Sequence, residues 1–328
     1  MTKKNYQLTV VVINYKTPQL TIDCLTSLLS ELSSIDAKVI VVDNASNDTS
    51  CELIQKWIDK QDYSEQIELI ASVKNTGFSG GNNIGIQATE AEYYLLLNSD
   101  TLVRPGAIKI LLDAAKADSS IGIISPRLEW LDTTPQESCF KFHTPISELI
   151  SSAKTGIISK ILYSFIVAQQ VCSEKKEYDW TSFACVLVRA EVFDDIGLMD
   201  DGFFMYYEDV DFCYKVKKAG WKILNTPDAH FVHLRGGSSP VKQQTKLRKR
   251  LPRYFYESRT RYFYSIYGRL GLLAANLLWL LGYGISLVRS LLSQKYTPSA
   301  SACQWRDIWI NFLTPIKPYI HPENYDKT

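Results

Sequence analysis

Short apolar runs recur through the first part of the chain, and each stops abruptly at a cluster of polar residues. Residues 8–13, 38–42, 67–71 and 93–97 read as strands, the last buried on both faces because nothing polar interrupts it. Between them, Leu20, Ile22, Cys24, Leu25, Leu28 and Leu29 fall mostly on one helical face. Leu53, Ile54 and Trp57 mark a second helix, which Asn47 or Asp48 can cap. This alternation predicts an α/β fold: a Rossmann-like, doubly wound, mostly parallel sheet flanked by helices, with right-handed crossovers. Residues 121–126, 180–188 and 221–224 read as later strands, and 210–219 as a helix ended by Gly220. Residues 128–177 are less regular and read as an insertion on the acceptor side.

The polar residues that end the strands converge on one edge if the sheet is parallel, and that edge is where ligands bind in open α/β sheets. They are Asn14, Asp43, the segment 75–83 with Asn75, Gly77, Gly80, Gly81 and Asn83, and the triplet Asn98, Ser99 and Asp100. Asp43 can accept from a base N–H or a ribose hydroxyl, and the glycines allow backbone to approach a ligand. The same segment also reads as a tight loop, and it matches neither GxGxxG nor a P-loop. Asp100 offers a hard oxygen to Mg²⁺ or Mn²⁺ holding a diphosphate, or it closes a polar turn before Pro105.

Further along, Glu208, Asp209 and Asp211 open a helix behind Phe203, Phe204, Tyr206 and Tyr207. The helix dipole alone favours acids there, yet an apolar wall can also raise one of them into the range of a general base. His233 precedes Arg235 and a Gly-Gly-Ser-Ser loop, a set suited to a diphosphate or metal, whereas His230 is expected in the core. Trp180, at a strand mouth, can stack on a sugar or simply pack.

Composition excludes little. At 328 residues, 46% hydrophobic and 22% charged, the chain is an ordinary globular one, and its net charge of +1 gives no global argument for nucleic acid. Seven scattered cysteines without a CxxC pair predict reduced thiols and no zinc site. The first seven residues lead into a strand with no apolar signal region, so no secretion signal is expected.

In order, Val-Ile-Asn-Tyr-Lys, Val-Val-Asp-Asn-Ala-Ser, Asn-Thr-Gly-Phe-Ser-Gly-Gly-Asn-Asn, Leu-Asn-Ser-Asp, Tyr-Glu-Asp-Val-Asp and His-Leu-Arg-Gly-Gly-Ser resemble the family-two, GT-A-type glycosyltransferases, particularly bacterial rhamnosyltransferase-like members. The resemblance covers about residues 8–240. It implies inverting transfer from a nucleotide-diphosphate sugar, dTDP- or UDP-linked, to a saccharide or lipid-linked acceptor. It implies that Asp43 contacts the base, Asn75 and the following glycines the nucleotide, Asp100 and His233 the Mg²⁺ or Mn²⁺, and that Asp209 is the general base beside Glu208. Asn14, Asn83, Ser99, Trp180, Asp211 and Arg235 complete the candidate substrate set. The triplet here begins with Asn98 where the family's DxD pattern has an Asp. A non-catalytic nucleotide-sugar-binding scaffold and a nucleotidyltransferase are the alternative readings.

The C-terminal region changes character. Basic residues from Lys242 to Arg269 alternate with aromatics, and an uncharged run follows over 270–288, long enough to cross a hydrocarbon core. The expected division is a catalytic domain over 1–240 and a helical, membrane-associating region over 241–328, on the cytoplasmic face. The run is interrupted by Gly271, Asn276, Gly282, Gly284 and Ser286, so spanning, lying in the interface and packing on protein all stay open. No recognition module for nucleic acid accompanies the basic stretch.

Overall fold

The computed structural model describes residues 5–235, 241–293 and 295–327. The chain divides into two compact units, the first made of Met1–Phe140, Gln170–Asp201 and Asp209–Ser238, the second of Lys141–Gln169, Gly202–Glu208 and Ser239–Thr328. The C-terminal region therefore shares its unit with two earlier pieces of chain.

In the first unit, β1 (Asn5–Asn14), α1 (Pro18–Leu29), β2 (Ala37–Asp43), α2 (Ser50–Ile58), β3 (Ile67–Ala71), α3 (Gly77–Ala88) and β4 (Glu90–Asn98) follow the expected alternation. β1 pairs in parallel with β2 and β4, and the register sets Asn14 opposite Asp43 and Ile13 opposite Asn98. Register alone thus lines up the polar strand ends. Val10, Val12, Val39, Val41 and Leu95 are fully buried and pack with Leu25 and Leu28 of α1, the face that the helical spacing marked. Then come β5 (Thr101–Val103), α4 (Ala107–Ala117), β6 (Ile121–Glu129) and β7 (Cys139–Phe140). The main sheet runs β3-β2-β1-β4-β10-β6-β11-β5, where β10 is Cys185–Arg189 and β11 is Lys222–His233, with β8 (Lys176–Glu177) paired to β11.

Three expectations change in detail. The run 180–188 is two strands: β9 (Trp180–Thr181) pairs with β7 in a separate sheet, while β10 (Cys185–Arg189) lies antiparallel between β4 and β6. The hydroxyl of Thr181 and the amide of Ser182 both donate to the carbonyl of Ser138, which holds the first piece away from the main sheet. After α7 (Ala190–Ile196) and α8 (Glu208–Lys218), the strand expected at 221–224 continues as β11 (Lys222–His233), irregular between Thr226 and His230 where Pro227 has no N–H to donate. The glycine-rich segment is not a loop throughout, since α3 starts at Gly77, whose φ of 71° few other residues would accept.

The second unit is helical. It contains α5 (Pro145–Ala153), α6 (Gly156–Ile161), α9 (Val241–Lys246), α10 (Arg253–Leu292) and α11 (Gln304–Asp307). α10 is broken at Gly268, where φ is 68° and ψ is −171°. The break reverses the chain: Arg259 donates to the side-chain oxygen of Asn276 at 2.7 Å, although 17 residues of straight helix would set them about 25 Å apart. Two arms, 253–267 and 269–292, therefore lie side by side as a helical hairpin. Arg259 also holds Glu148 of α5 at 2.7 Å, and Asn276 donates to the carbonyl of Ile308. All three side chains of this network are buried. Gly282 sits so close to α5 that a Cβ there would come within 2.6 Å of the Leu149 carbonyl.

Candidate active site

The polar ends of β1 and β2 bond to each other first. Asn14 donates to Asp43 at 2.6 Å, the same carboxylate accepts from the amide and hydroxyl of Ser46, and Asn14 accepts from Thr21 at 2.9 Å. Asn14 and Asp43 are both buried, so these bonds replace the water that each would otherwise lose. Thr17 joins this cluster to Ser99 through contacts of 3.4 Å to Asn14 and to Ser99.

Next along the edge, Asn44 organises the segment that leads into α3. Its amide donates to the Asn75 side chain and to the Gly77 carbonyl, and its oxygen accepts from the Thr76 amide. Asn75 in turn accepts from the Gly77 amide at 2.9 Å. The glycines here make room for protein: a Cβ on Gly80 would lie 2.5 Å from Thr76, and one on Gly81 would lie 3.1 Å from Ile13 and 3.2 Å from Asn44. Sequence reasoning assigned nothing to Asn44. Its signal was the second polar residue of Asp43-Asn44, directly after a strand, where an amide can bridge two loops.

Asp100 and His233 are brought together by a long-range pairing. β5 runs antiparallel to β11, with Thr101 opposite His233, and the Leu234 amide bonds the Asp100 carbonyl. Asp100 Oδ1 lies 3.4 Å from His233 Nε2, and both side chains are buried. His233 Nδ1 is buried with no hydrogen-bond partner among the described residues. A carboxylate oxygen and an imidazole nitrogen suit Mn²⁺ or Mg²⁺, and among the described residues no group of three acidic, His or Cys side chains gathers elsewhere. The pair fits a cation that takes its other ligands from a diphosphate and water. Asn98 uses its backbone here, donating to Ala184 and accepting from the Thr101 hydroxyl at 2.6 Å.

The acidic cluster divides by role. Asp211 is buried and paired with Lys215 one helical turn on, at 2.6 Å. Asp209 is half-exposed, with one oxygen on the Val210 amide. Glu208 is buried and groups with the second unit, while Asp209 groups with the first. Just before them, Tyr206 and Tyr207 have φ of 71° and 66°, a left-handed backbone that bulky residues adopt at a cost of about 1–3 kcal/mol each. Within the second unit, Tyr207 packs against Phe255 and Tyr262, and Ser258 donates to the Met205 carbonyl.

Other candidates are occupied by the fold. Trp180 stacks on Phe140 at 4.2 Å and is buried, which favours packing over an open sugar platform. Asn83 exchanges both amide bonds with the backbone of Met199. Arg235 bonds the Gln136 side chain and the Glu137 carbonyl and lies over Trp130, while residues 236–239 of its loop fall outside the described residues. Gln136, also unassigned before, donates to the carbonyl of His233 at 2.7 Å and fixes that strand end. His230 is not in the core. Its ring is 39% exposed and meets Glu129 at 3.0 Å, because alternation along β11 turns it away from the buried Phe231.

The chain is similar to several known proteins. The family described as Glycosyl transferase family 2 matches residues 9–150. The low-salt glycan biosynthesis hexosyltransferase Agl10 of Haloferax volcanii is 29% identical over 240 residues, 72% of this chain and 68% of its own. The N-acetylglucosaminyl-diphospho-decaprenol L-rhamnosyltransferase of Mycobacterium tuberculosis is 24% identical over 249 residues, 71% of this chain and 77% of its own. Among solved structures, GalNAc-T7 with UDP, GalNAc and Mn²⁺ superposes with a TM-score of 0.60 at 13% identity, over 94% of this chain and 55% of that one. The sheet is thus of the GT-A type.

Proposed function

The chain carries a glycosyl transferase family 2 domain, and on that premise we propose that it is an inverting, metal-dependent transferase. It moves a sugar from a nucleotide diphosphate to a hydroxyl of a saccharide or lipid-linked saccharide at the cytoplasmic face of a membrane, in cell-surface polysaccharide synthesis. The observation that carries the reading is the buried Asp100–His233 pair, set in the sheet whose β2 ends in Asp43. Rhamnose is the transferred sugar suggested by the rhamnosyltransferase relative.

In this reading Asp43, Asn75 and the backbone from Gly77 to Gly81 receive the nucleotide, with Asn14 and Ser99 fixing the edge. Asp100 and His233 would hold Mg²⁺ or Mn²⁺, which when bound offsets the charge growing on the departing diphosphate. Asp209, half-exposed where Asp211 is tied to Lys215, takes the proton of the acceptor hydroxyl as it attacks the anomeric carbon from the face opposite the diphosphate. Glu208 is the acidic neighbour of Asp209 in sequence, and Arg235 stays a candidate on the substrate side.

The test is thermal unfolding with a panel of nucleotide diphosphates and their sugars, with and without Mn²⁺, on the natural chain, Asp100→Ala and Asp209→Asn. A ligand at 100 times its Kd adds about 2.7 kcal/mol of stability. Metal-dependent stabilisation by one nucleotide, lost in Asp100→Ala and kept in Asp209→Asn, is the expected result. Transfer by Asp209→Asn should fall about 10²–10⁴-fold. Absence of any nucleotide response removes the reading, and near-natural turnover by Asp209→Asn removes that residue from the role of base.

A further inference from the structure

The second arm of α10 carries two opposed faces. Leu272, Ala275, Asn276, Trp279, Gly282 and Ser286 are buried. At about 100° per residue, Leu270, Leu277, Leu281, Val288 and Leu292 fall within about 60° of one another on the opposite side. These five are between 52% and 83% exposed, and no charged residue occurs from 270 to 288. A helix facing water carries polar residues on its outer side, so this stripe calls for an apolar neighbour. At the far end of the arm, Arg289 donates to the Lys154 carbonyl, and α6, which follows directly, exposes Ile157 and Ile161.

Two segments of this unit are mostly basic. Residues 241–293 hold ten Lys or Arg and a single acid, Glu257; residues 141–169 hold three Lys and a single acid, Glu148. Both glutamates are buried in ion pairs, with Arg253 and Arg259. Lys242, Lys246, Arg248, Lys249 and Arg269 are exposed. An apolar stripe on a unit whose segments 141–169 and 241–293 carry exposed cations and no exposed acid matches the surface of an anionic leaflet.

The arm is long and apolar enough to cross a membrane, but the hairpin forbids it. A crossing would carry the first arm alongside, placing Arg259, next to Asn276, near the bilayer centre, with Glu148 beside it. An arginine and a glutamate enter hydrocarbon at that depth only as a pair shielded by protein, so the second arm could not cross by itself.

We propose that residues 269–292 form a one-leaflet seat: the helix lies along the surface of an anionic membrane, its leucine stripe in the acyl chains and its buried face on its own unit. This rests on the membrane association read above and specifies its form, yet it needs no donor or turnover, so vesicle binding and nucleotide binding can fail separately.

The experiment is co-flotation of the full chain with vesicles of phosphatidylcholine, alone and mixed with phosphatidylglycerol. Binding to the mixed vesicles, released by alkaline carbonate, is expected. Leu277→Glu/Leu281→Glu should weaken it about tenfold or more, and Leu277→Ser/Leu281→Ser by less, with the melting temperature held by these exposed positions. Retention through carbonate would overturn the proposal in favour of a span. Equal binding by both double variants would overturn it, as would a dimer in solution that dissociates in those variants while the natural chain ignores vesicles.

Discussion

The strand-end edge of the first unit and the helical hairpin of the second bury polar groups to opposite ends. In the hairpin, Arg259, Glu148 and Asn276 satisfy one another and the carbonyl of Ile308, and what is left exposed is apolar. At the edge, Asn14 and Asn44 tie the loops into shape, but His233 keeps a buried nitrogen without a partner among the described residues. A closed network fixes a fold. An open one pays in stability for a capacity to bind.

Breaking the closed network should have the largest effect. Arg259→Met leaves Glu148 and Asn276 buried without their cation and should cost about 3–5 kcal/mol, read as a lowered denaturant midpoint. Adding Glu148→Leu should recover most of the loss; a double variant as unstable as the single one would show that the arginine acts by packing alone. A smaller loss is expected at the edge. Asn44→Ala strands the Gly77 carbonyl and the Thr76 amide, and about 1–3 kcal/mol is the expected loss, accompanied by weaker nucleotide stabilisation. Retained nucleotide binding would separate the loop's shape from its ligand.

The smallest effect sharpens the comparison through pH. Burial pushes His143, in the second unit, down to about 4 from its usual 6.5, with Glu148 opposing and Arg259 adding to the shift. Between those values the unfolded chain binds the extra proton, so stability should fall as pH drops from 6.5 toward 4. Thermal unfolding of His143→Phe against pH should show a flatter slope over that window. The ring faces Tyr207 and Tyr262, so an aromatic replacement keeps the packing.

Much of the first unit was legible because burial on both faces writes itself as uninterrupted apolar runs. Residues 8–13, 38–42 and 93–97 needed no more than that, and the parallel register then carried Asp43 and Asp100 to one edge. What alternation does not encode is strand order. Nothing local says that β10 inserts antiparallel between β4 and β6, or that the ring of His230 faces Glu129 outside the core. Asn44 was passed over because its work is done by an amide reaching 33 residues ahead to Gly77. In the C-terminal region, hydropathy read an uncharged run of the right length, while the deciding residue was Gly268, two positions before it. Trp180 is the converse case: a conspicuous aromatic at a strand mouth could stack on a sugar or simply pack, and its ring stacks on Phe140.

The pairing of β5 with β11 also sets an order in time. Asp100 and His233 are 133 residues apart, and a ribosome adding 5–20 residues per second needs on the order of 10 s between them. Asn14, Asp43 and Asn75 are all synthesised before Asp100 emerges, so the loops of β1, β2 and α3 can take shape while the last strand does not yet exist. The hairpin at Gly268, by contrast, closes over a short separation and ranks among the fast contacts. A nascent chain arrested just after residue 220 would thus carry an assembled first edge whose buried carboxylate still lacks its imidazole.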